Sequence, residues 1–168
     1  QVQTAANGRT RKGVAILLSP IAYASWIRSG SIMMTYGERV IAIELKLPNK
    51  HVARVISGYA PDSSCSETDR AHYQDSLHEA IAASAETTIL IIGTDANASL
   101  GVRQQSTEKL RGPYGEPYQN KAGYEMQEFL EQHQLTLPAQ YYQRKNYATW
   151  IHPRSHRKYQ LDHFIIKQ

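Results

Sequence analysis

Cysteine occurs once in this 168-residue chain, at Cys65. One thiol permits no internal disulfide, which suits a reducing compartment. Flanked by serines and without metal-ligand spacing nearby, it reads as inert. No apolar run approaches the roughly 18 to 20 residues that would span a bilayer. The N-terminal QVQTAANGRTRKG is polar and basic, without the apolar core of a signal peptide. A membrane or secretory address is therefore not expected. A P-loop is missing as well, because the first apolar stretch runs into LLSPIAYAS, which has neither the Gly-rich turn nor the lysine that cradle a nucleotide. There is no internal repeat and no linker.

What is present fits one globular domain over residues 1–168, with a hydrophobic content of 41%, enough to bury a sizeable core. The formal charge is +4 and the pI about 9.2, which alone only hints at a polyanionic partner. The distribution is more telling. From Tyr141 onward Arg144, Lys145, Arg154, Arg157, Lys158 and Lys167 face Asp162 alone, with His152 and His156 interleaved. Arg9, Arg11 and Lys12 form a second cluster. Either could be a solvated face; beside a catalytic site, either would suit phosphate.

Periodicity predicts strands interrupted by two helices. GVAILLS (13–19) reads as a buried strand and SIMMTYGERVIAIELKL (31–47) as a hairpin turning at Tyr36-Gly37; HVARVISGYA (51–60) is a strand ended by Pro61. In SETDRAHYQDSLHEAIAAS, Ser66 is the N-cap with Asp69 three residues on, and Tyr73, Leu77, Ala80, Ile81 and Ser84 form one stripe. TTILIIG is a central strand. A Gly- and Pro-containing loop follows, then NKAGYEMQEFLEQHQL as the second helix, with Met126, Phe129, Leu130 and His133 at helical spacing. AQYY, YATWI and YQLDHFII read as short strands. Tight hairpins require antiparallel neighbours, so two sheets covered by helices are expected in preference to a doubly wound parallel sheet.

Three strand ends carry chemistry. ILIIGTDANASLG drives a buried strand into Asp95 and Asn97, which a period of two places on one side. SGYAPDSS ends a strand at Tyr59, held by the following proline, and KYQLDHFII puts Asp162 and His163 on opposite faces. Asp and Asn also cap ordinary turns by bonding nearby backbone groups, but convergent strand ends are where sites collect.

Tyr59-Ala60-Pro61 after a strand, Gly-x-Asp-x-Asn-Ala at 93–98, GPYGEPYQNKAG opening a helix, Ala-Thr-Trp at 148–150 and Gln-Leu-Asp-His-Phe-Ile at 160–165 occur in this order between Gly13 and Lys167. Together they resemble the endonuclease/exonuclease/phosphatase superfamily, and most closely the apurinic-type endonuclease domain of non-LTR, LINE-type retrotransposons and the host proteins derived from them. The resemblance implies a four-layered α/β sandwich, two mainly antiparallel sheets flanked by helices, and hydrolysis of phosphodiester bonds with magnesium or manganese. It implies that Asp95 orients or deprotonates the attacking water, that Asn97 donates to a phosphate oxygen, and that Tyr59 contacts the scissile phosphate. Asp162 matches an aspartate that orients a catalytic histidine, and Thr149 a threonine near the DNA backbone. The segment WIHPRSHRKYQ corresponds to a hairpin that reaches into a DNA groove, so His152, Arg154, His156, Arg157 and Lys158 are expected to bind DNA. His163 reads as structural, Trp26 and Trp150 as core, and Gly112, Gly115 and Gly123 as turn and helix-entry residues.

The resemblance also implies DNA as partner, a reverse transcriptase domain in the same polyprotein, and residence in the nucleus, or in the cytoplasm before import. The family's metal-binding glutamate is expected upstream of Gly13 and its Ser-Asp-His motif downstream of Gln168. The expectation is thus a single partial domain, incomplete at both termini and impaired in turnover. The usual Gly-Asp-Phe-Asn is here Gly93-Thr94-Asp95-Ala96-Asn97, and neither Glu38 nor Glu44 sits where the missing ligand belongs. The alternative is a retrotransposon-derived fragment that binds nucleic acid or a protein and hydrolyses nothing. A phosphatase acting on inositol phosphates or lipids is a third reading, less favoured by the basic hairpin.

Overall fold

The computed structural model describes residues 13–105 and 108–167. The basic cluster at Arg9, Arg11 and Lys12 lies outside the described residues. A six-stranded sheet is built from β1 (Met33–Tyr36), β2 (Val40–Lys46), β3 (Val52–Tyr59), β4 (Ile89–Asp95), β5 (Leu135–Thr136) and β8 (Asp162–Lys167), in the order β1-β2-β3-β4-β8-β5. A two-stranded ribbon, β6 (Trp150–Ile151) with β7 (Lys158–Tyr159), stands apart from it. Three helices, α1 (Pro20–Arg28), α2 (Glu67–Ala82) and α3 (Lys121–Gln132), complete the mixed α/β architecture. Among the described residues no helix is long and apolar enough to cross a membrane.

The β1–β2 hairpin turns where Tyr36-Gly37 predicts it, with Tyr36 opposite Val40. β3 and β4 run parallel, which needs a crossover, and α2 supplies it. That helix opens on the expected capping box. The Asp69 amide donates to Ser66 Oγ at 3.1 Å and the Ser66 amide to Asp69 Oδ2 at 3.1 Å. α3 starts at Asn120, whose Oδ1 accepts from the Gly123 amide at 2.8 Å. A β-carbon on Gly123 would stand 2.0 Å from the Ser99 carbonyl oxygen, so only glycine lets α3 press onto the loop after β4.

α2 and α3 cover one face of the sheet. Val40, Ala42, Ile56, Leu90, Ile92 and Ile165 meet Tyr73, Leu77, Ala80, Met126, Phe129 and Leu130 there in one buried cluster. Polar groups on this face are paired. Tyr73 and Thr94 hydroxyls lie 2.7 Å apart, and Arg54, 4% exposed, bonds the Ala80 carbonyl at 3.0 Å and Glu44 at 2.6 Å. That ion pair occupies Glu44, the cross-strand partner of Arg54.

Four expectations need correction. YQLDHFII is not one strand: Tyr159 belongs to the ribbon, the Gln160 amide is taken by Glu116, and β8 starts at Asp162. Residues 13–19 form no strand: they join no ladder among the described residues, Ala15 and Ile16 line the groove on the open face with Val55, Gly93 and Phe164, and Leu17 is 98% exposed. The unforeseen α1 follows directly, because Ser19 caps it by accepting from the Ala22 amide at 3.3 Å and Pro20 occupies its first turn. AQYY is not a strand but part of a 3-10 turn, Pro138–Tyr141, with Gln140 turned inward and its amide donating to the Gly101 carbonyl at 2.9 Å. Trp150 is not core: it is 41% exposed on the ribbon, tilted against Tyr159 with ring centroids 5.6 Å apart.

Candidate active site

Alternation along three neighbouring strands assembles the site. Tyr59 on β3 is in register with Asp95 on β4, and Asp95 with Asp162 on β8. Residues in register share a face, so the three side chains form one row across the sheet. Val55, Ser57, Ile91, Gly93, Asp95, Asp162 and Phe164 lie on the face opposite α2 and α3, around a shallow groove of about 560 Å³. Backbone bonds tie the row's ends together: the Ala60 amide donates to Asp95 O and the Ala96 amide to Leu161 O, both at 2.8 Å. Thr94 therefore introduces no bulge, and Asp95 stays in register.

Asn97 adopts a left-handed conformation, with φ 45°. Its amide N–H donates to Asp95 Oδ1 at 3.0 Å, and its side-chain nitrogen donates to the Ala60 carbonyl at 2.8 Å. One N–H of that amide thus locks the turn, and the group has a second. Thr149 Oγ1 accepts from the amides of Leu161 and Asp162 at 3.0 and 3.1 Å. It positions Asp162 at the start of β8.

Burial pushes the Asp95 carboxyl above its usual range; the Asn97 N–H partly offsets this, and the negative charge of Asp162 adds to the rise. His163, one residue from Asp162, points to the helix-covered face and bonds the Ala98 carbonyl at 3.1 Å through Nε2. Burial holds it below the ordinary imidazole range, in keeping with the structural role expected for it.

The ribbon leads directly into Asp162 through Gln160 and Leu161. Its base is held by the buried Glu116, whose Oε2 accepts from the Gln160 amide and from Ser99 Oγ, both at 3.0 Å. Its tip is a tight turn in which His152 Nδ1 accepts from the amides of Arg154 and Ser155 at 3.2 and 3.1 Å. Arg154, His156, Arg157 and Lys158 are exposed around it. The Arg157 guanidinium lies 4.9 Å from the Tyr118 ring centroid and 5.2 Å from that of Tyr159.

Tyr59, Asp95, Asn97, Thr149 and Asp162 are thus brought together at one end of the sheet, and the ribbon carrying the five basic and histidine positions joins that end at its base. Two contributors escaped sequence reasoning. Arg39 lies 5.4 Å from the Tyr59 ring centroid and donates to the Tyr59 carbonyl at 3.3 Å, putting a cation at the end of the row. Only its place at the hairpin turn hinted at this. Tyr118, in the loop between β4 and α3, carried no local signal for its stacking on Arg157.

No family model and no curated protein matches the chain. Its backbone is similar to the crystal structure of an endonuclease/exonuclease/phosphatase from Beutenbergia cavernae, with a TM-score of 0.47 and 11% sequence identity over 81% of this chain. The chain spans 36% of the length of that protein.

Two carboxylates side by side, with phosphate oxygens and water completing the shell, are a donor set that a small hard dication accepts. Among the described residues no group of three or more His, Cys, Asp or Glu side chains is placed to hold a metal. Asp95 and Asp162 are the carboxylates of the row that could share such an ion with a substrate.

Proposed function

We propose that this chain is a phosphodiester-hydrolysing domain of the endonuclease/exonuclease/phosphatase kind, of the retrotransposon endonuclease type, which nicks DNA in the nucleus and is joined to a reverse transcriptase in one polyprotein. The observation that carries the reading is the Tyr59-Asp95-Asp162 row with a basic ribbon rising from its edge. In-line attack on a phosphodiester needs an activated water, a neutralised phosphate and a stabilised leaving oxygen. Asp95, at the centre of the row, orients the attacking water and takes its proton. Asn97, held by its own turn, offers its second N–H to a phosphoryl oxygen, and the Tyr59 hydroxyl donates to the scissile phosphate. Magnesium or manganese, when bound at Asp95 and Asp162, supplies charge neutralisation at the phosphoryl oxygens. His152, Arg154, His156, Arg157 and Lys158 hold the flanking backbone.

A second reading is favoured by one observation: among the described residues two carboxylates meet at the row, fewer ligands than a protein-held metal centre uses. On that reading the same surface binds nucleic acid without cleaving it. Nicking of supercoiled plasmid with magnesium, manganese or chelator, by this chain, by the longer polyprotein proposed to carry it and by Asp95→Ala, separates the two. Metal-dependent nicking by either parent form that the substitution abolishes supports the hydrolase. Salt-sensitive binding with no nicking by any form overturns it in favour of the binder.

A further inference from the structure

On the side of the sheet opposite the Asp95 row, two histidines meet across α2 and α3. His78 Nδ1 and His133 Nε2 are 3.2 Å apart, with ring centroids at 5.0 Å and planes tilted by 54°. We infer that His78 and His133 form a two-imidazole site for a transition dication of the zinc, nickel or copper(II) kind.

Geometry comes first. Two imidazole nitrogens bound at about 2.0–2.1 Å to one ion, at angles between square-planar and tetrahedral, stand about 2.9 to 3.4 Å apart. The observed separation falls inside that interval. The pair is joined as N–H···N, which needs one ring to donate and the other to accept. An incoming cation takes the place of that single hydrogen, and the donor ring moves its proton to its far nitrogen, so charge and atoms balance without a further reactant.

The His133 ring is also held in place, while that of His78 is exposed. His133 ends α3, its amide donating to the Phe129 carbonyl at 3.2 Å, and its ring packs on Phe129 with centroids 4.5 Å apart. His78 projects from α2 next to the buried Leu77, so its backbone is fixed by the core. Among the described residues no third His, Cys, Asp or Glu joins the two. Water fills the remaining positions, and the site is exchangeable, unlike a closed four-ligand structural zinc. Imidazole donors without carboxylates select zinc, nickel and copper over magnesium. A bound ion ties α2 to α3, residues 55 apart in sequence, and so stabilises the folded chain by mass action.

The test is titration of the chain with zinc, nickel or copper(II) chloride, followed by calorimetry, thermal melting and copper electron paramagnetic resonance. The expected result is a rise in Tm with each of these metals, none of that size with magnesium, and a copper signal carrying two imidazole nitrogens. His78→Ala and His133→Ala should each lower zinc affinity by about tenfold or more, since outer partners alone change metal affinity by about 10–100-fold. His72→Ala and Asp95→Ala should keep the response, which separates this site from the proposed hydrolytic one. Affinity unchanged in both histidine variants, or a copper signal with one nitrogen in the folded parent chain, would overturn the inference.

Discussion

The two faces of the six-stranded sheet differ although the same strands build both. On the covered face Ile56, Ile92 and Ile165 are almost wholly removed from water, and the polar Arg54, Thr94 and His163 each find a partner. On the open face the same strands carry Ser57, Gly93, Asp95 and Asp162, with Phe164 49% exposed. One residue step separates stability from chemistry: His163 sits in the core and Asp162 in the row. Buried apolar area stabilises the covered side, while the open side keeps two like charges close together, which destabilises.

The sharpest way to break that contrast is on the covered face. Ile92→Ala, at 0% exposure, should lower unfolding free energy by about 2–5 kcal/mol, because a cavity forms where the helices meet the sheet; urea denaturation measures it. Gly123→Ala forces a β-carbon onto the Ser99 carbonyl and should cost about 1–3 kcal/mol by overpacking, again read from the denaturation midpoint. Thr149→Val, at the rim of the open face, removes the acceptor of two amides. It should cost about 1–3 kcal/mol and also disturb Asp162, so plasmid nicking falls further than stability.

The pH dependence sharpens the comparison, because the two faces work in opposite senses. The folded-state pKa of Asp95 is raised, so its contribution to stability is full below the unfolded carboxylate pKa and is lost as pH rises through the folded value. Asp95→Asn should therefore be more stable than the parent chain at neutral pH, the advantage vanishing as pH falls below the carboxylate range. The folded pKa of His163 is lowered, so its contribution is full above the unfolded imidazole pKa of about 6.5 and is lost as pH falls through the folded value. Denaturation midpoints across pH 3–8, range chosen to bracket about 3.9 and 6.5, read both trends. The smallest expected effect on folding is at the ribbon: Arg157→Ala should change stability by about 1 kcal/mol or less, yet reduce the salt dependence of DNA binding by about one phosphate contact.

Local signals identified the elements with strong periodicity or caps. Ser66 with Asp69 announced α2, ILIIG announced β4, and Tyr36-Gly37 announced the hairpin, because each depends on neighbours within a few residues. GVAILLS misled for a physical reason: apolar composition does not say whether a segment finds an edge to pair with, and this one lies on a face. Ser19-Pro20 was a legible helix start, masked by the strand reading before it. Trp150 has the size and apolarity of a core residue, but a two-stranded ribbon has no interior in which to bury it.

Strand periodicity and turn chemistry in the sequence determined that Tyr59 and Asp95 would end strands, and that Asp162 and His163 would face opposite ways. Only the tertiary structure decided that these strands are neighbours in the order β3-β4-β8, that Arg39 stacks on Tyr59, and that His78 meets His133 across two helices. Strand order and helix packing are set by long-range burial summed over the whole core, and no window of a few residues contains that sum.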